Sequence, residues 1–354
     1  MSERFVIGDA MFFTLIIPAF NADQIGKLLY SIVRQNESDL QVIICDDSES
    51  DGVYRVYNKY NVYLNLVYCK TDKHKTKCPG NTRYDGMKHI SKDTKYVLFA
   101  DDDDFFEADA LPKIKRFIID NNYPEVVFSN IYETRDTKCN NMCDLYCKGQ
   151  YPKVQTLSSL AWLHGNLYRY DFLYDNRIEF KEDLISHEDV YFNCSILAHL
   201  TGHGITYATF DKPFYNWVRR DKSLSNIPVE GHTYIEKYLY QYIYSSTEPM
   251  FDGVKIYPDS YLYYRGQCMG TLVFSYFYYQ FFIWSEGENI LKENIGYIRD
   301  LVYRMMNVFN ITKEDIINLV YTCPESYNDM KIDTLNMGYK FVETTSFRDF
   351  ILKL

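Results

Sequence analysis

The chain has 354 residues, enough for one large domain and a smaller one, and it can bury a sizeable core. A hydrophobic fraction of 47% excludes intrinsic disorder, and a net charge of −10 excludes a surface that attracts nucleic acid or anionic membrane as a whole. Nine cysteines without an N-terminal apolar leader predict a cytoplasmic protein with reduced thiols, and no transmembrane segment is expected.

Two apolar runs near the N-terminus predict the first strands of a parallel sheet. They span Phe12–Ile17 and Leu40–Cys45. The segment between them has apolar residues every three or four positions, as expected for an amphipathic helix, and Asn21 can cap its N-terminus. The second run ends in two carboxylates, Asp46 and Asp47. A short third strand is predicted at residues 64–68, and a helix at 80–90.

The next apolar run, Tyr96–Ala100, ends abruptly in four consecutive carboxylates, Asp101 to Asp104. Strands alternate with helices, which predicts an α/β fold with a mostly parallel sheet and helices on both faces. Ligands of such sheets bind beyond the carboxyl ends of the strands, so both acidic clusters should face one crevice. The residues alone leave two explanations open. The carboxylates hold a divalent cation, or they form a solvated turn that caps the helix beginning near Glu107.

A local group of positive charge follows the third strand, within Lys70–Lys77. It contains four lysines and His74. The group fits either a flexible solvated loop or a contact with a phosphorylated donor or an anionic acceptor. Further on, Cys139, Cys143 and Cys147 are spaced by four, a pattern that favours reduced thiols over a zinc site.

Four segments resemble, in order and spacing, the successive motifs of family-2 glycosyltransferases with a GT-A fold. They are Ile16–Asn21, Cys45–Asp51, Gly80–Arg83 and Phe99–Asp104. The resemblance implies a GT-A (Rossmann-like) sheet. No glycine-rich dinucleotide or P-loop motif follows these strands, so those two alternatives fail at their defining residues.

The resemblance implies roles for the residues of the donor site. The first acidic pair would contact the base and ribose of a nucleotide-sugar. Asp101 would face the ribose and the metal, Asp103 would bind Mn²⁺ or Mg²⁺ on the diphosphate, Asp104 would meet the donor sugar or a neighbouring ligand, and Asp102 is the intervening position. Where the family usually has asparagine after the arginine, this chain has Tyr84. The nucleotide-sugar set implied in this way is Pro18, Phe20, Asn21, Asp46, Asp47, Arg83, Asp101, Asp102, Asp104, Arg219, Arg220 and Ser223.

Two downstream segments resemble the acceptor side of the same family. The first contains the acceptor-side candidates His164, Gly165 and Asn166. The second carries a Glu-Asp motif, and the resemblance implies that Asp189 is the catalytic base with Glu188 beside it. The residues around this motif also fit a capping box for the following helix, and both roles can hold at once.

The segment at 214–225 resembles the part of the family that closes over the donor diphosphate, for which arginine is well suited because its fork binds phosphate bidentately. Some relatives place a metal-binding histidine just after it, and this chain has none at that position, so no histidine ligand is predicted. The resemblance ends near Gly231. The predicted domains are therefore a catalytic domain at 1–230 and a helical region rich in tyrosine and phenylalanine at 231–354, through which an oligomer could form.

Together these features predict an inverting glycosyltransferase. It would move a sugar from a nucleoside-diphosphate donor, with a UDP-sugar as the favoured donor, to a hydroxyl group. The acceptor would be a glycan, a polymer or a modified nucleobase, and an anionic polymer and a DNA base are among the options. Asp101 and Asp103 would hold Mn²⁺ or Mg²⁺. The alternatives are a non-catalytic protein that binds sugar-nucleotides or glycans on the same fold, and a metal-dependent nucleotidyltransferase.

Overall fold

The computed structural model describes residues 11–135, 150–153, 163–200, 205–219, 235–286, 295–322 and 346–354, with residues 328 and 331. Several predictions fall outside these ranges. They concern Arg220, Ser223, the three spaced cysteines and the domain boundary at residue 230.

The strands predicted from apolar runs form the parallel half of a nine-stranded sheet. They are β1 (Phe13–Ala19), β2 (Leu40–Asp46), β3 (Asn65–Lys70) and β4 (Tyr96–Phe99). They lie in the order β3-β2-β1-β4, and each neighbouring pair is parallel. The side chains of β1, β2 and β4 are buried almost throughout, which explains why these strands are nearly continuous apolar runs.

Three helices connect the parallel strands: α1 (Ala22–Val33), α2 (Gly52–Tyr60) and α3 (Pro79–Met87). Asn21 caps α1 as predicted, because its side-chain oxygen accepts a hydrogen bond from the Asp23 amide at 3.0 Å. Helix α3 packs very close to the sheet at Gly86. A Cβ atom there would stand 2.6 Å from Ile16 Cγ2 and 2.9 Å from Cys45 Sγ. Glycine thus lets α3 lie directly on β1 and β2.

The rest of the sheet makes it mixed. It contains β5 (Phe105–Phe106), β6 (Val126–Arg135), β7 (Gln150–Lys153), β8 (Leu167–Arg169) and β9 (Tyr207–Arg219). The order continues β4-β8-β6-β9-β5, with β7 on β6. Strand β8 is antiparallel to β4 and β6, and β9 is parallel to β6. The α/β class is confirmed, and the antiparallel strands are an addition that the apolar runs did not reveal.

Two helices flank this second half, α4 (Ala110–Asp120) and α5 (Tyr170–Asp175). Helix α4 starts after Asp109, and β5 separates it from the four aspartates. The explanation of that stretch as a cap for this helix is therefore wrong.

The described residues fall into two compact units. The first contains the nine strands and α1 to α5. The second begins at Ile185 and is helical, which confirms the predicted helical C-terminal region. Its elements are α6 (Glu188–Leu200), a π-helical turn (Ile235–Tyr240), α7 (Gln241–Ile256), a 3₁₀ turn (Pro258–Ser260), α8 (Tyr261–Glu286), α9 (Gly296–Phe309), α10 (Lys313–Thr322) and α11 (Phe347–Lys353).

Helices of the second unit pack through aromatic side chains. In α8, Tyr276 lies against Phe347 and Phe350 of α11, with ring centroids 5.3 and 5.1 Å apart. None of the described helices combines the length and the apolar composition needed to cross a lipid bilayer. An oligomer formed through this unit stays a prediction.

Candidate active site

Three parallel strands end at one edge of the sheet, and their ends carry most of the predicted donor-site residues. Ala19 in β1 pairs with Asp46 in β2, and Ile16 pairs with Phe99 in β4. The loop after β1 and both acidic stretches therefore meet at this edge. The crevice that the sequence predicts beyond the strand ends is where these residues come together.

Asp46 is buried at the end of β2, and its carboxylate accepts hydrogen bonds from Ser48, Tyr68 and Lys70. One carboxylate oxygen accepts hydrogen bonds from the Ser48 amide at 2.8 Å and the Ser48 hydroxyl at 2.6 Å. The other accepts from the Tyr68 hydroxyl at 2.6 Å and from Lys70 Nζ at 2.9 Å. Burial raises the pKa of Asp46, but the bonds to Lys70, Ser48 and Tyr68 outweigh it and the pKa is lowered. Asp46 thus stays ionised and ties β2 to β3.

Asp47 follows Asp46 and is half-buried. Its amide donates to the Ala19 carbonyl at 2.9 Å, which joins the ends of β1 and β2. Burial raises the pKa of Asp47, and the charge of Lys77 offsets this only in part. Its side chain lines a cavity of about 330 Å³. The walls of this cavity come from the ends of β2 and β3, the loop 71–78 and the first turn of α3.

Asp101 is held between a guanidinium and an imidazole. Its Oδ1 lies 2.6 Å from Arg83 Nη2, and its Oδ2 lies 3.1 Å from His164 Nε2. Burial raises the pKa of Asp101, but the charges of His164 and Arg83 dominate and lower it well below the usual range. Arg83 comes from α3, where it is 3% exposed. The close packing of α3 at Gly86 brings this guanidinium to the end of β4.

Asp102 connects the acidic stretch to the loop after β1. Its Oδ2 accepts hydrogen bonds from the backbone amides of Phe20 at 2.8 Å and Asn21 at 2.9 Å. Those amides lie at the N-terminus of α1, where negative charge is favourable. The Phe20 side chain is 65% exposed beside this contact, and Pro18 is half-buried at the end of β1.

Asp104 is fully buried and holds β9 in place. Its Oδ2 accepts from the Tyr215 hydroxyl at 2.5 Å, and its Oδ1 accepts from the Val218 amide at 2.7 Å. Burial and the charges of Asp103 and Asp101 raise the pKa of Asp104 well above its ordinary value. Both oxygens of this carboxyl group therefore accept hydrogen bonds from β9.

A divalent cation is implied by the resemblance, and the residues after β4 fit one. Asp101, Asp104 and His164 each offer a ligand atom, and these atoms all lie within 4.8 Å of one another. Carboxylate oxygens suit Mg²⁺ and Mn²⁺, and imidazole is a common ligand of transition metals. His164, which the sequence placed on the acceptor side, lies within this group. The identity of the ion and the role of Asp103 as a ligand remain predictions.

The other acceptor-side candidates lie beside β6. Asn166 is 1% exposed, and its Oδ1 accepts from the Ser129 amide at 3.4 Å. Gly165 has φ of 79°, which favours glycine, and its carbonyl accepts a short hydrogen bond from the Ser129 hydroxyl. These contacts fix the backbone next to His164, whose ring stacks on Tyr215 at a centroid distance of 5.6 Å.

The Glu-Asp motif opens α6 in the second unit. Glu188 and Asp189 are half-buried in its first turn, and Asp189 Oδ1 accepts from the Val190 amide at 2.8 Å. The preceding Ser186 donates its amide to Gln241 Oε1 of α7 at 2.8 Å. His187 has φ of 59° and packs its ring against Tyr238 and Tyr242. Contacts with α7 and the turn before it thus fix the start of this helix.

Comparison with known proteins supports the resemblance seen in the sequence. Residues 14–179, just under half of the chain, match the family described as "Glycosyl transferase family 2". The match covers the four strand-end motifs and the first acceptor-side segment, so the resemblance inferred from these residues is confirmed.

Two curated relatives of this chain are named for polymer modification. The chain is 27% identical over 217 residues to the poly(ribitol-phosphate) beta-N-acetylglucosaminyltransferase TarS of Staphylococcus aureus strain MW2, covering 60% of this chain and 36% of the relative. It is 26% identical over 228 residues to the poly(ribitol-phosphate) beta-glucosyltransferase of Bacillus spizizenii, covering 62% and 34%. The chain thus spans about a third of the length of these relatives.

The fold of this chain is similar to that of a solved structure. The crystal structure of S. aureus TarS 1-349 in complex with UDP-GlcNAc matches with a TM-score of 0.59 and 18% identity, covering 94% of this chain and 98% of that chain. The likeness confirms the GT-A fold.

The roles of several residues of the site were not predicted from the sequence. Tyr68 and Tyr215 hold the buried aspartates, and Lys70 and His74 were counted only as part of a basic loop. A partial signal existed for Tyr68 and Lys70, because they end a strand next to Asp46. Tyr215 lies in the segment 214–225 expected over the diphosphate, but its contact with Asp104 was not predicted, since the two are 111 positions apart in the chain.

Proposed function

We propose that the chain transfers a sugar from a nucleoside-diphosphate donor to a hydroxyl group, with inversion at the anomeric carbon. The observation that carries this proposal is the pairing of two features at one sheet edge. A 330 Å³ cavity lies beside Asp47, and an aspartate-histidine group lies after β4. The cavity has the size of a small-molecule site and would take the nucleoside. The second feature would face the diphosphate.

The donor in this proposal is a UDP-sugar. The TarS structure in complex with UDP-GlcNAc supports this choice because it shares the fold. Asp101, Asp103, Asp104 and His164 are the residues that would hold Mn²⁺ or Mg²⁺. Such an ion, when bound, supplies positive charge that stabilises the departing nucleoside diphosphate. Arg83 fixes the Asp101 carboxylate, while Arg219 and Arg220, with Ser223, would close on the phosphates.

The acceptor in this proposal is a hydroxyl of an anionic polymer of the poly(ribitol phosphate) type. The names of the two relatives support it, and so do the exposed lysines Lys73, Lys75 and Lys77 beside the cavity. Asp189 would take the proton of the acceptor hydroxyl. The oxygen of that hydroxyl bonds to the anomeric carbon while the bond between this carbon and the diphosphate breaks. Glu188 would position the same hydroxyl.

The test uses UDP-GlcNAc and UDP-glucose with purified poly(ribitol phosphate) and Mn²⁺. We expect release of UDP and a sugar-modified polymer. Asp189→Asn should lower transfer by about a thousandfold, because a general base contributes about 10² to 10⁴ in rate. UDP binding by calorimetry should remain unchanged. Asp175→Asn, an exposed aspartate at the end of α5, is the matched control.

Each failure of this test has a distinct meaning. Full turnover in Asp189→Asn would remove the base from the mechanism. Release of sugar 1-phosphate in place of UDP would show transfer of the nucleotidyl group and identify a nucleotidyltransferase. Tight donor binding without any turnover over a panel of acceptors would identify a non-catalytic sugar-nucleotide-binding protein.

A further inference from the structure

His74 lies in the basic loop between β3 and α3, yet its side chain is only 8% exposed. Its Nε2 lies 2.8 Å from Asp85 Oδ2, and its Nδ1 lies 3.2 Å from Glu182 Oε1. The Asp85 side chain is 4% exposed and the Glu182 side chain 50%. The imidazole thus bridges a buried carboxylate in α3 and a more exposed one in the segment before the second unit.

The Nε2 contact with Asp85 has hydrogen-bond geometry, and the Nδ1 contact with Glu182 is within ion-pair distance. A carboxylate offers only acceptor atoms. Neutral imidazole has a single N–H, so its other nitrogen would direct a lone pair at a carboxylate oxygen. Both contacts are therefore attractive together only in the imidazolium form. Loss of the proton would weaken one contact, and the exposed Glu182 is the partner that can turn to solvent.

The charged groups around His74 are consistent with a cation there. From α3, Asp85 is also bonded by Lys88 Nζ at 2.7 Å. From the loop itself, the Asp72 amide donates to Asp85 at 2.8 Å, and the Asp72 carboxylate lies 3.1 Å from Lys88 Nζ. At the end of β2, the charge of His74 contributes to lowering the pKa of Asp47, against the effect of burial. Glu182 completes the set from the segment before the second unit.

His74 belongs to a wall that is tied at more than one point. The Asp183 amide donates to Asn81 Oδ1 at 2.9 Å, and Asn81 Nδ2 donates to the Thr76 carbonyl at 2.7 Å. His74, Thr76 and Asn81 all line the cavity. Residues 182 and 183 therefore back the wall of the cavity that His74, Thr76 and Asn81 form.

We propose that His74 is a positioning residue that, as an imidazolium, clamps this wall in the shape that receives the nucleoside part of the donor. Donor affinity then falls when His74 loses its proton. The proposal rests on the proposed function, because it takes the cavity as the nucleoside site. It adds a pH-dependent control of donor binding that the acidic motifs do not provide.

The test measures UDP-GlcNAc binding by calorimetry at pH 5.5 and 8.5 with Mn²⁺, since the diphosphate of this donor stays ionised over that range. Wild type should bind about tenfold more weakly at pH 8.5, the effect of losing one charge-assisted contact. His74→Gln should bind at the weaker level at both pH values. His89→Gln, an exposed histidine just after α3, should behave as wild type.

A second measurement separates this proposal from the proposed function. Hydrogen exchange without nucleotide at pH 6 should be faster in His74→Gln for both segments 71–82 and 178–184, while the strand 40–46 is unchanged. Glu182→Gln should reproduce the loss of pH dependence with less risk to folding. If UDP-GlcNAc does not bind wild type but exchange in both segments is faster in His74→Gln, the proposed function is wrong and the proposed clamp is supported. If both variants keep the wild-type pH dependence and exchange, the clamp is overturned.

Discussion

Asp46 and Asp104 occupy comparable places at two strand ends, and the structure treats them in opposite ways. Both are buried, with 1% and 0% exposure, and both accept a hydrogen bond from a tyrosine hydroxyl. Asp46 also has Lys70 at 2.9 Å, and its pKa is lowered although burial raises it. Asp104 has two carboxylates as neighbours, and burial together with their charge raises its pKa. Burial raises the pKa of both groups, and it is opposed by Lys70 at Asp46 but reinforced by Asp101 and Asp103 at Asp104.

The comparison also separates the residues that build the edge from those that face outward. At the end of β2, Asp46 accepts hydrogen bonds from neighbouring residues of the fold, and the half-buried Asp47 lines the cavity. After β4, Asp104 also accepts hydrogen bonds from the fold, and Asp103 keeps part of its surface exposed. In each stretch one carboxylate supports the backbone and a neighbour is presented to the crevice.

The largest expected effect comes from removing the cation on the β4 side. Arg83→Met leaves the Asp101 carboxylate without a guanidinium partner and with the His164 imidazole beside it. Breaking one side of a buried ion pair lowers stability by about 3 kcal/mol, reduced here because Asp101 is partly exposed. Urea unfolding followed by circular dichroism measures the change. Arg116→Met, at an exposed pair with Asp120 in α4, should change stability by about 0.5 kcal/mol or less. Equal urea midpoints for the two variants would contradict the buried role of Arg83.

The next effect tests the contrast directly with one substitution at two places. Asp46→Asn removes an ionised acceptor and leaves the donors of Lys70, Ser48 and Tyr68 with a weaker partner, which should lower stability by about 2 kcal/mol. Asp104→Asn replaces a carboxyl group whose pKa is raised by burial and by two neighbouring carboxylates, so losing its charge should cost less, about 0.5 kcal/mol. The urea midpoints of the two variants measure this difference. A larger loss for Asp104→Asn would mean that Asp104 is ionised in the folded protein.

Much of the parallel half of the sheet could be predicted from the sequence, because its strands are buried on both faces. Runs such as Leu40–Cys45 have no polar interruption, and the carboxylates that follow lie at a common edge for topological reasons. Strand β9 was not predicted. It contains the consecutive residues Asp211, Lys212 and Pro213, which hide the alternating pattern of a strand. Its pairing with β6 also joins distant parts of the chain.

The roles within the acidic stretches could be predicted only in part. Sequence spacing located the aspartates but did not distinguish Asp46, whose pKa is lowered, from Asp104, whose pKa is raised, since that depends on Lys70 and on contacts made by folding. The basic loop shows the same limit. Counting its charges left a solvated loop and a contact with an anionic ligand both open, and did not reveal that His74 is enclosed by Asp85 and by Glu182, a residue far along the chain. Long-range partners set the electrostatics, and local patterns do not contain them.

The smallest expected effect is a pair of opposite pH dependences. The lowered pKa of Asp46 means that its contribution to stability is present above the ordinary range of aspartate, about pH 4, and is lost as the pH falls through the lowered value. The raised pKa of Asp104 has the reverse sign, so wild type gains stability from this group as the pH falls from 8 toward 4. The gap in urea midpoint between wild type and Asp46→Asn should therefore stay constant from pH 8 to 4 and close below it. The gap between wild type and Asp104→Asn should instead change between pH 8 and 4, in favour of wild type. Parallel curves for the two variants would show that the two buried carboxylates share one protonation state, and the contrast between the strand ends would then have to rest on hydrogen bonding alone.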